Sequence, residues 1–131
     1  MIITLDAASD APLYVQLCNQ IILGIGSGAL ACGERLPTVR QLAQDACVNV
    51  MTVSKAYQIL KREGYIEVDR RHGARVSLTA VHSGEFRERT ERQLALLATE
   101  SALHGLPKEE FLSLCERVCG EIRIRREEAA V

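Results

Sequence analysis

Residues 37–64, PTVRQLAQDACVNVMTVSKAYQILKREG, decide the fold that this sequence predicts. The stretch is typical of two short helices joined by a tight turn. Thr38 can cap the first helix, because a glutamine follows three residues later, at Gln41, which is the spacing of a capping box. Asn49 can cap the second helix because its side-chain oxygen can accept a backbone N–H. Gly64 then ends the second helix, since glycine tolerates the left-handed conformation there.

The second helix of this pair has one apolar face and one polar face. The apolar positions follow helical spacing and are Val53, Ala56, Tyr57 and Leu60. The polar face holds Met51, Thr52, Ser54, Lys55, Gln58 and Arg62. Small and hydrogen-bonding residues early in a helix can approach base edges in a DNA major groove. An ordinary solvated helix face has a similar composition, so the segment that follows decides between the two interpretations.

Two short alternating segments follow the helices. Residues 65–68 and 75–78 alternate apolar and polar side chains, and the turn between them contains Gly73. This pattern predicts a β-hairpin. Basic side chains cluster near its tip, at Arg70, Arg71, His72 and Arg75. They form either a solvated charged turn or a set of phosphate contacts, and the preceding helices favour phosphate contacts.

The charge of the chain is divided unequally along the sequence. The net charge is −1, but residues 35–75 carry eight Lys/Arg and four Asp/Glu, whereas residues 81–131 carry eight Lys/Arg and ten Asp/Glu. Binding to phosphate depends on the local field rather than on the total charge. We therefore expect double-stranded DNA as the partner of the first part and another role for the second.

The composition indicates a soluble globular protein, with 47% hydrophobic and 25% charged residues. No apolar run approaches the length of a membrane span. The first residues lack the basic and apolar segments of a signal peptide. We expect a cytoplasmic protein without a membrane partner.

We predict two domains. Residues 1–79 would form a winged helix-turn-helix, beginning with an apolar helix after Pro12. Residues 84–128 would form a two-helix C-terminal segment for dimerisation or regulation, broken before Pro107, with a tail from Ile122 that frays. The fold class is mainly α with a small β-wing.

The two C-terminal helices expose more apolar surface than they can cover themselves. We expect a homodimer interface, formed by Leu94, Leu97, Phe111, Cys115, Val118 and Ile122. Two copies on a two-fold axis would read a palindromic site and gain affinity through effective concentration. The alternative is that these helices complete a monomeric core.

The five cysteines are an odd number in a chain with no mark of secretion, which argues against a disulfide framework. Cys115 and Cys119 lie four residues apart on one helix face. That spacing suits small buried apolar residues, or half of a metal or redox site across a dimer. We predict no metal and no cofactor. We also predict no enzyme, since the sequence has no phosphate loop, no paired carboxylates in an apolar setting and no convincing nucleophile with a base.

Residues 12–78 resemble the DNA-binding domain of GntR-family bacterial transcription regulators. The features that carry the resemblance are Pro12-Leu13-Tyr14, Gly28-x-Leu30, Gly33-x-x-Leu36-Pro37, Arg40-x-Leu42-Ala43, Val48-Asn49, Thr52-Val53-x-x-Ala56-Tyr57-x-x-Leu60, Glu63-Gly64-x-Ile66 and Gly73-x-x-Val76. The length and layout of the two C-terminal helices are similar to the YtrA-type subgroup, which lacks the larger effector domains.

The resemblance implies a set of DNA-contacting residues. Arg40 would contact phosphate or a base. The start of the second helix of the pair and the wing would supply the others, namely Asn49, Val50, Met51, Thr52, Ser54, Lys55, Arg70, Arg71, His72, Gly73 and Arg75. The subgroup commonly has proline and a polar residue after the asparagine. Val50 and Met51 stand there in this chain, which puts the subgroup's usual operator in doubt.

The resemblance also implies a dimeric repressor of a transporter-type operon that binds a palindromic operator. The alternative function is a winged-helix module that binds an acidic protein and has no sequence-specific DNA binding. The sequence names no small-molecule effector.

Overall fold

The computed structural model describes residues 3–71 and 73–126 and divides them into two units. The winged unit comprises residues 3–71, 73–80 and 123–126. The helical unit comprises Val81–Ile122. The winged unit is thus built from two stretches of chain, and the helical unit lies between them in the sequence.

Helix α1 (Leu13–Ser27) opens the winged unit. Pro12 precedes its first residue, where a missing N–H costs no hydrogen bond. The helix continues through Gly24 and Gly26. Gly28 ends it in the left-handed conformation, with φ of 86°. The buried face of α1 consists of Leu17, Cys18, Ile21 and Ile25.

Helices α2 (Val39–Ala46) and α3 (Val50–Arg62) form the predicted pair. Thr38 Oγ1 accepts the backbone N–H of Gln41 at 3.1 Å, so the predicted cap of α2 is confirmed. Asn49 Oδ1 accepts the backbone N–H of Met51 at 2.8 Å and caps α3. The turn between the helices passes through Cys47 in the left-handed conformation, with φ of 56°.

Strands β1 (Ile66–Asp69) and β2 (Gly73–Val76) form the predicted hairpin. They are antiparallel, with Ile66 opposite Val76 and Asp69 opposite Gly73. A single bridge pairs Arg35 with Arg75 and extends the hairpin toward the loop after α1. The buried side chains of Ile66, Ala74 and Val76 turn one face of the hairpin toward the core.

The core of the winged unit collects apolar side chains from α1, α2, α3 and the hairpin. Leu30 and Leu36 reach into it from the loop after α1. The Tyr57 hydroxyl donates to the Pro37 carbonyl at 2.8 Å, and burial raises the pKa of Tyr57 above its usual value. The hydrogen bond satisfies the polar end of an otherwise buried ring.

The helical unit consists of α4 (Gly84–Leu103) and α5 (Lys108–Gly120). Ser83 Oγ accepts the backbone N–H of Phe86 at 3.1 Å and caps α4. Gly105, with φ of 86°, turns the chain toward α5. Neither helix has a buried residue. The winged helix-turn-helix followed by two helices confirms the predicted fold class.

The chain after α5 returns to the winged unit. The Arg123 N–H donates to the Gly26 carbonyl at 2.6 Å, and the Cys32 N–H donates to the Arg125 carbonyl at 2.8 Å. The prediction of a frayed tail is therefore wrong for residues 123–126, because acceptors and donors near the end of α1 hold them. The expected second domain, residues 84–128, also differs from the helical unit in including this segment.

Candidate nucleic-acid interface

The start of α3 lies on the surface of the winged unit. Its capping bond to the Met51 N–H holds the exposed Asn49 side chain in place. The next two side chains are apolar and open to solvent, with Val50 44% and Met51 72% exposed. A methionine this exposed on an otherwise well-packed unit offers apolar contact, for example to a thymine methyl.

The next side chains of α3 differ in their exposure to solvent. Thr52 and Ser54 are half-buried, and Lys55 is exposed. The Lys55 ammonium lies over the Tyr14 ring, 3.9 Å from its centroid. Such a cation–π contact favours one orientation of the lysine. No local spacing in the sequence indicates this contact, because it depends on how α1 and α3 pack against each other.

Arg40 is the second residue of α2 and is exposed. In the described part of the chain it has no ion-pair partner, so its guanidinium is available to an external anion. A guanidinium is suited to this role because its planar fork can donate two parallel hydrogen bonds to a phosphate or a guanine.

The wing tip presents two arginines, Arg70 and Arg71, both exposed. Asp69 Oδ1 accepts the Arg71 N–H at 2.5 Å, which shapes the turn. Gly73 begins β2 with φ of 70°, a conformation that favours glycine. His72, also predicted at the tip, lies outside the described residues.

Arg75 is exposed but, unlike Arg40, has an ion-pair partner. It pairs with Glu67, which lies directly opposite on β1. Both side chains are about half exposed, so water weakens the pair, which contributes little to stability. The carboxylate nevertheless offsets the positive charge of Arg75. The pair depends on the register of the hairpin, which the alternation of the two strands does not determine.

The comparisons with known proteins agree on one family. The family model described as bacterial regulatory proteins, gntR family, matches residues 13–76. The HTH-type transcriptional regulator YhcF of Bacillus subtilis (strain 168) is 30% identical over 105 residues, which is 79% of this chain and 87% of that protein. The chain belongs to the GntR family. The expectation of a regulator rather than an enzyme is confirmed by this membership.

A second relative of this GntR-family chain is a named repressor. The HTH-type transcriptional repressor YtrA of Bacillus subtilis (strain 168) is 41% identical over 78 residues. The match covers 60% of this chain and 60% of YtrA. The chain therefore spans about 60% of the length of that relative.

Three solved structures are also similar to this chain. A transcriptional antiterminator from Listeria monocytogenes EGD-e superposes with a TM-score of 0.83 at 26% identity, covering 98% of each chain. YtrA from Sulfolobus acidocaldarius, a GntR-family transcription factor, is 34% identical with a TM-score of 0.55, covering 91% of this chain and 97% of that one. The DNA-binding domain of AraR, solved with the operator ORE1, is 25% identical with a TM-score of 0.50, covering 59% of this chain and 94% of that one.

The predicted dimer residues of this GntR-family chain lie on the helical unit with their side chains at least partly open. Leu94, Leu97, Val118 and Ile122 are exposed, and Phe111 and Cys115 are half-buried. Further leucines of the unit are exposed as well, up to 81% at Leu103. An apolar surface of this kind is typical of a site that another protein covers.

The cysteines occupy different surroundings. Cys18 is buried in the core, where desolvation raises the pKa of its thiol and keeps it protonated. Cys115 is half-buried and Cys119 is exposed. No group of three or more metal-ligating side chains is present in residues 3–71 and 73–126. The same residues contain no helix with the length and apolar character needed to cross a membrane.

Proposed function

We propose that this GntR-family chain is a dimeric repressor that binds a palindromic operator through the winged unit. The single observation that carries the proposal is the exposed start of α3, where a capped Asn49 precedes Val50 and Met51. These side chains are placed to enter a major groove. The operator complex of the AraR DNA-binding domain, a structure similar to this one, supports the same use of the fold.

The proposed interface would make two classes of contact, one to bases and one to phosphates. Bases would be read by Asn49, Val50, Met51, Thr52 and Ser54. Phosphates would be bound by Arg40, Lys55, Arg70, Arg71, His72, Gly73 and Arg75. Base contacts set sequence preference, whereas phosphate contacts set register and most of the dependence on salt.

Dimerisation would occur through the helical unit. Its helices have no buried residue, so their exposed leucines gain most by packing on a second copy. The interface residues are Leu94, Leu97, Phe111, Cys115, Val118 and Ile122. Two winged units in one dimer then bind two half-sites, and linking the two events raises affinity about 10²- to 10⁴-fold.

Repression is supported by the name of the Bacillus subtilis YtrA repressor, which is 41% identical to this chain over 78 residues. By resemblance to the YtrA type, the regulated genes would be a transporter operon. A chain that binds chromosomal DNA would act in the cytoplasm.

Fluorescence anisotropy on labelled DNA tests the proposal. The duplexes are the region upstream of the chain's own gene and a scrambled sequence, each titrated at several salt concentrations. We expect tight, salt-sensitive binding to the native duplex alone. Arg40→Ala should weaken it at least about tenfold, whereas Arg92→Ala, at an exposed position of α4, should leave it unchanged.

Equal and weak binding to both duplexes would contradict sequence-specific recognition of this DNA. No binding to either duplex at low salt would overturn DNA binding itself. It would favour the alternative function, a winged-helix module that binds an acidic protein.

A further inference from the structure

The segment that follows the helical unit, residues 123–126, is held on the winged unit by its backbone. The Arg123 N–H donates to the Gly26 carbonyl at 2.6 Å, and the Arg125 carbonyl accepts the Cys32 N–H at 2.8 Å. The first bond is made to the last turn of α1 and the second to the loop that follows α1. We call residues 123–126 the docked segment.

Gly28 allows the docked segment to approach this closely. A Cβ atom built on Gly28 would stand 2.6 Å from the Arg123 carbonyl oxygen, which is closer than real Cβ contacts come. Gly28 also has a left-handed φ of 86°. Any other residue would therefore clash with the segment and be strained in its backbone at the same time.

Arg125 uses its side chain for docking. Its guanidinium donates through Nε to the Gly28 carbonyl and through Nη2 to the Ala29 carbonyl, the latter at 3.4 Å. These carbonyls lie just past the C-terminal end of α1, where acceptors have no helical partner and a positive charge is favoured. Arg125 is therefore occupied within the winged unit.

Arg126 lies in a different place. It lines an open cleft of about 410 Å³ on the outer face of the wing, together with Glu67, Arg75 and Ser77. Glu67 pairs with Arg75. Within the described residues Arg126 has no ion-pair partner, so its exposed guanidinium adds a net positive charge beside the wing.

The docked segment changes the charge of the winged unit. Residues 1–80 carry eight Lys/Arg and seven Asp/Glu, a net charge of +1. Residues 123–126 add three arginines, and Glu127 and Glu128 follow them in the sequence, so residues 1–80 and 123–131 together carry a net charge of +2. Three of the eleven basic side chains of this unit thus come after the helical unit in the sequence.

We propose that the docked segment is a phosphate-binding element of the DNA interface, in which Arg125 positions the segment and Arg126 binds a backbone phosphate next to the wing. The proposal rests on the proposed DNA binding and adds a contact to it. A guanidinium donates bidentate hydrogen bonds to phosphate oxygens. Such a contact reads no sequence, so it contributes equally on specific and non-specific DNA.

The test uses the full chain and anisotropy titrations over a range of salt, on the native upstream duplex and on a scrambled one. We expect Arg126→Gln to weaken binding about three- to tenfold at low salt on both duplexes. The slope of log affinity against log salt should fall by about one, the signature of one lost phosphate contact. Arg92→Gln makes the same change of charge on α4 and should alter neither quantity.

Arg125→Lys separates docking from charge. Lysine keeps the positive charge but lacks the planar fork that bonds the two carbonyls. If the segment must be held in place, Arg125→Lys weakens DNA binding and flattens the salt dependence as Arg126→Gln does. If only total charge matters, Arg125→Lys leaves both unchanged.

Three outcomes would overturn the inference while the wild-type chain binds DNA. The first is unchanged affinity and salt slope in Arg126→Gln, the second is an equal loss in Arg92→Gln, and the third is unchanged binding in Arg125→Lys. Failure of the wild-type chain to bind any duplex would instead overturn the proposed function, so the two failures are distinguishable.

Discussion

The winged unit and the helical unit differ in where their stability comes from. Fifteen apolar side chains are buried in the described residues, and all of them belong to the winged unit. The helices of the helical unit, α4 and α5, have no buried residue. One chain thus combines a unit that is stabilised by its own core with a unit whose apolar side chains remain exposed. If the proposed function holds, the difference predicts that DNA binding and dimerisation can be disrupted separately.

Fluorescence can distinguish the two units. The chain has three tyrosines and no tryptophan. Tyr14, Tyr57 and Tyr65 all lie in the winged unit. Tyrosine emission therefore reports unfolding of the winged unit alone, whereas far-ultraviolet circular dichroism reports helices of both units.

The largest expected effect is on the core of the winged unit. Leu60 is 1% exposed, so Leu60→Ala leaves a cavity and should lower the free energy of unfolding by about 2–5 kcal/mol. Leu97→Ala removes the same atoms from a side chain that is 56% exposed. Urea unfolding followed by tyrosine emission should show the loss for Leu60→Ala and none for Leu97→Ala. Similar losses for both would contradict the separation of the units.

The second effect is on assembly. Leu97→Glu places a charge on the proposed dimer surface. Because burying this charge in the interface would cost desolvation free energy, the variant should sediment as a monomer where the wild type sediments as a dimer. Loss of the second half-site should weaken operator binding about 100-fold or more. Leu23→Glu makes the same substitution at a 69% exposed leucine of α1 and should leave the dimer intact. A monomeric wild-type chain at micromolar concentration would contradict the proposed interface.

A smaller effect tests whether DNA affinity depends on the charge of the winged unit and not on that of the helical unit. Glu67→Gln removes the carboxylate that pairs with Arg75 and should strengthen DNA binding about two- to fivefold at low salt. Glu91→Gln makes the same change in a similar pair, with Arg87 at 3.2 Å, in the helical unit. Anisotropy titrations should show no gain for Glu91→Gln. Unchanged affinity in Glu67→Gln would place Arg75 outside the DNA interface.

The smallest effect concerns backbone strain between α2 and α3. Cys47 is left-handed with φ of 56°, which is strained for a residue with a Cβ. Cys47→Gly should stabilise the winged unit by about 0.5–1 kcal/mol after the greater freedom of glycine in the unfolded chain is counted. Cys47→Ser keeps the Cβ and should bring no gain. Tyrosine-monitored unfolding measures both variants, and equal stability of the two would contradict the strain.

Features of the fold that depend on neighbouring residues could be predicted from the sequence. Thr38 and Asn49 were identified as caps because a cap needs only a side-chain oxygen two or three residues from an N–H. The hairpin followed from alternation and from a glycine in the turn. The exposure of Met51 followed from its position opposite the apolar face of α3.

Contacts between distant parts of the chain could not be predicted. The docked segment contacts residues nearly a hundred positions away, and its short irregular sequence has no periodic pattern that would indicate what it packs on. The contact between Lys55 and Tyr14 depends on how α1 and α3 cross. The pairing of Arg75 with Glu67 and of Lys55 with Tyr14 therefore came only from the fold. The roles of the candidate DNA residues in binding remain predictions.

The discontinuous winged unit has a consequence for the order in which the protein is made. The ribosome completes α3 and the wing first, then all of α4 and α5, and only afterwards the segment that returns to α1. Chains begin to fold during synthesis. The docked segment cannot bind at Gly26, Gly28 and Cys32 until the more than forty residues of the helical unit have been translated. The docked segment is therefore bound only in chains whose translation has passed residue 126. A nascent or shortened chain that already contains α3 lacks these contacts.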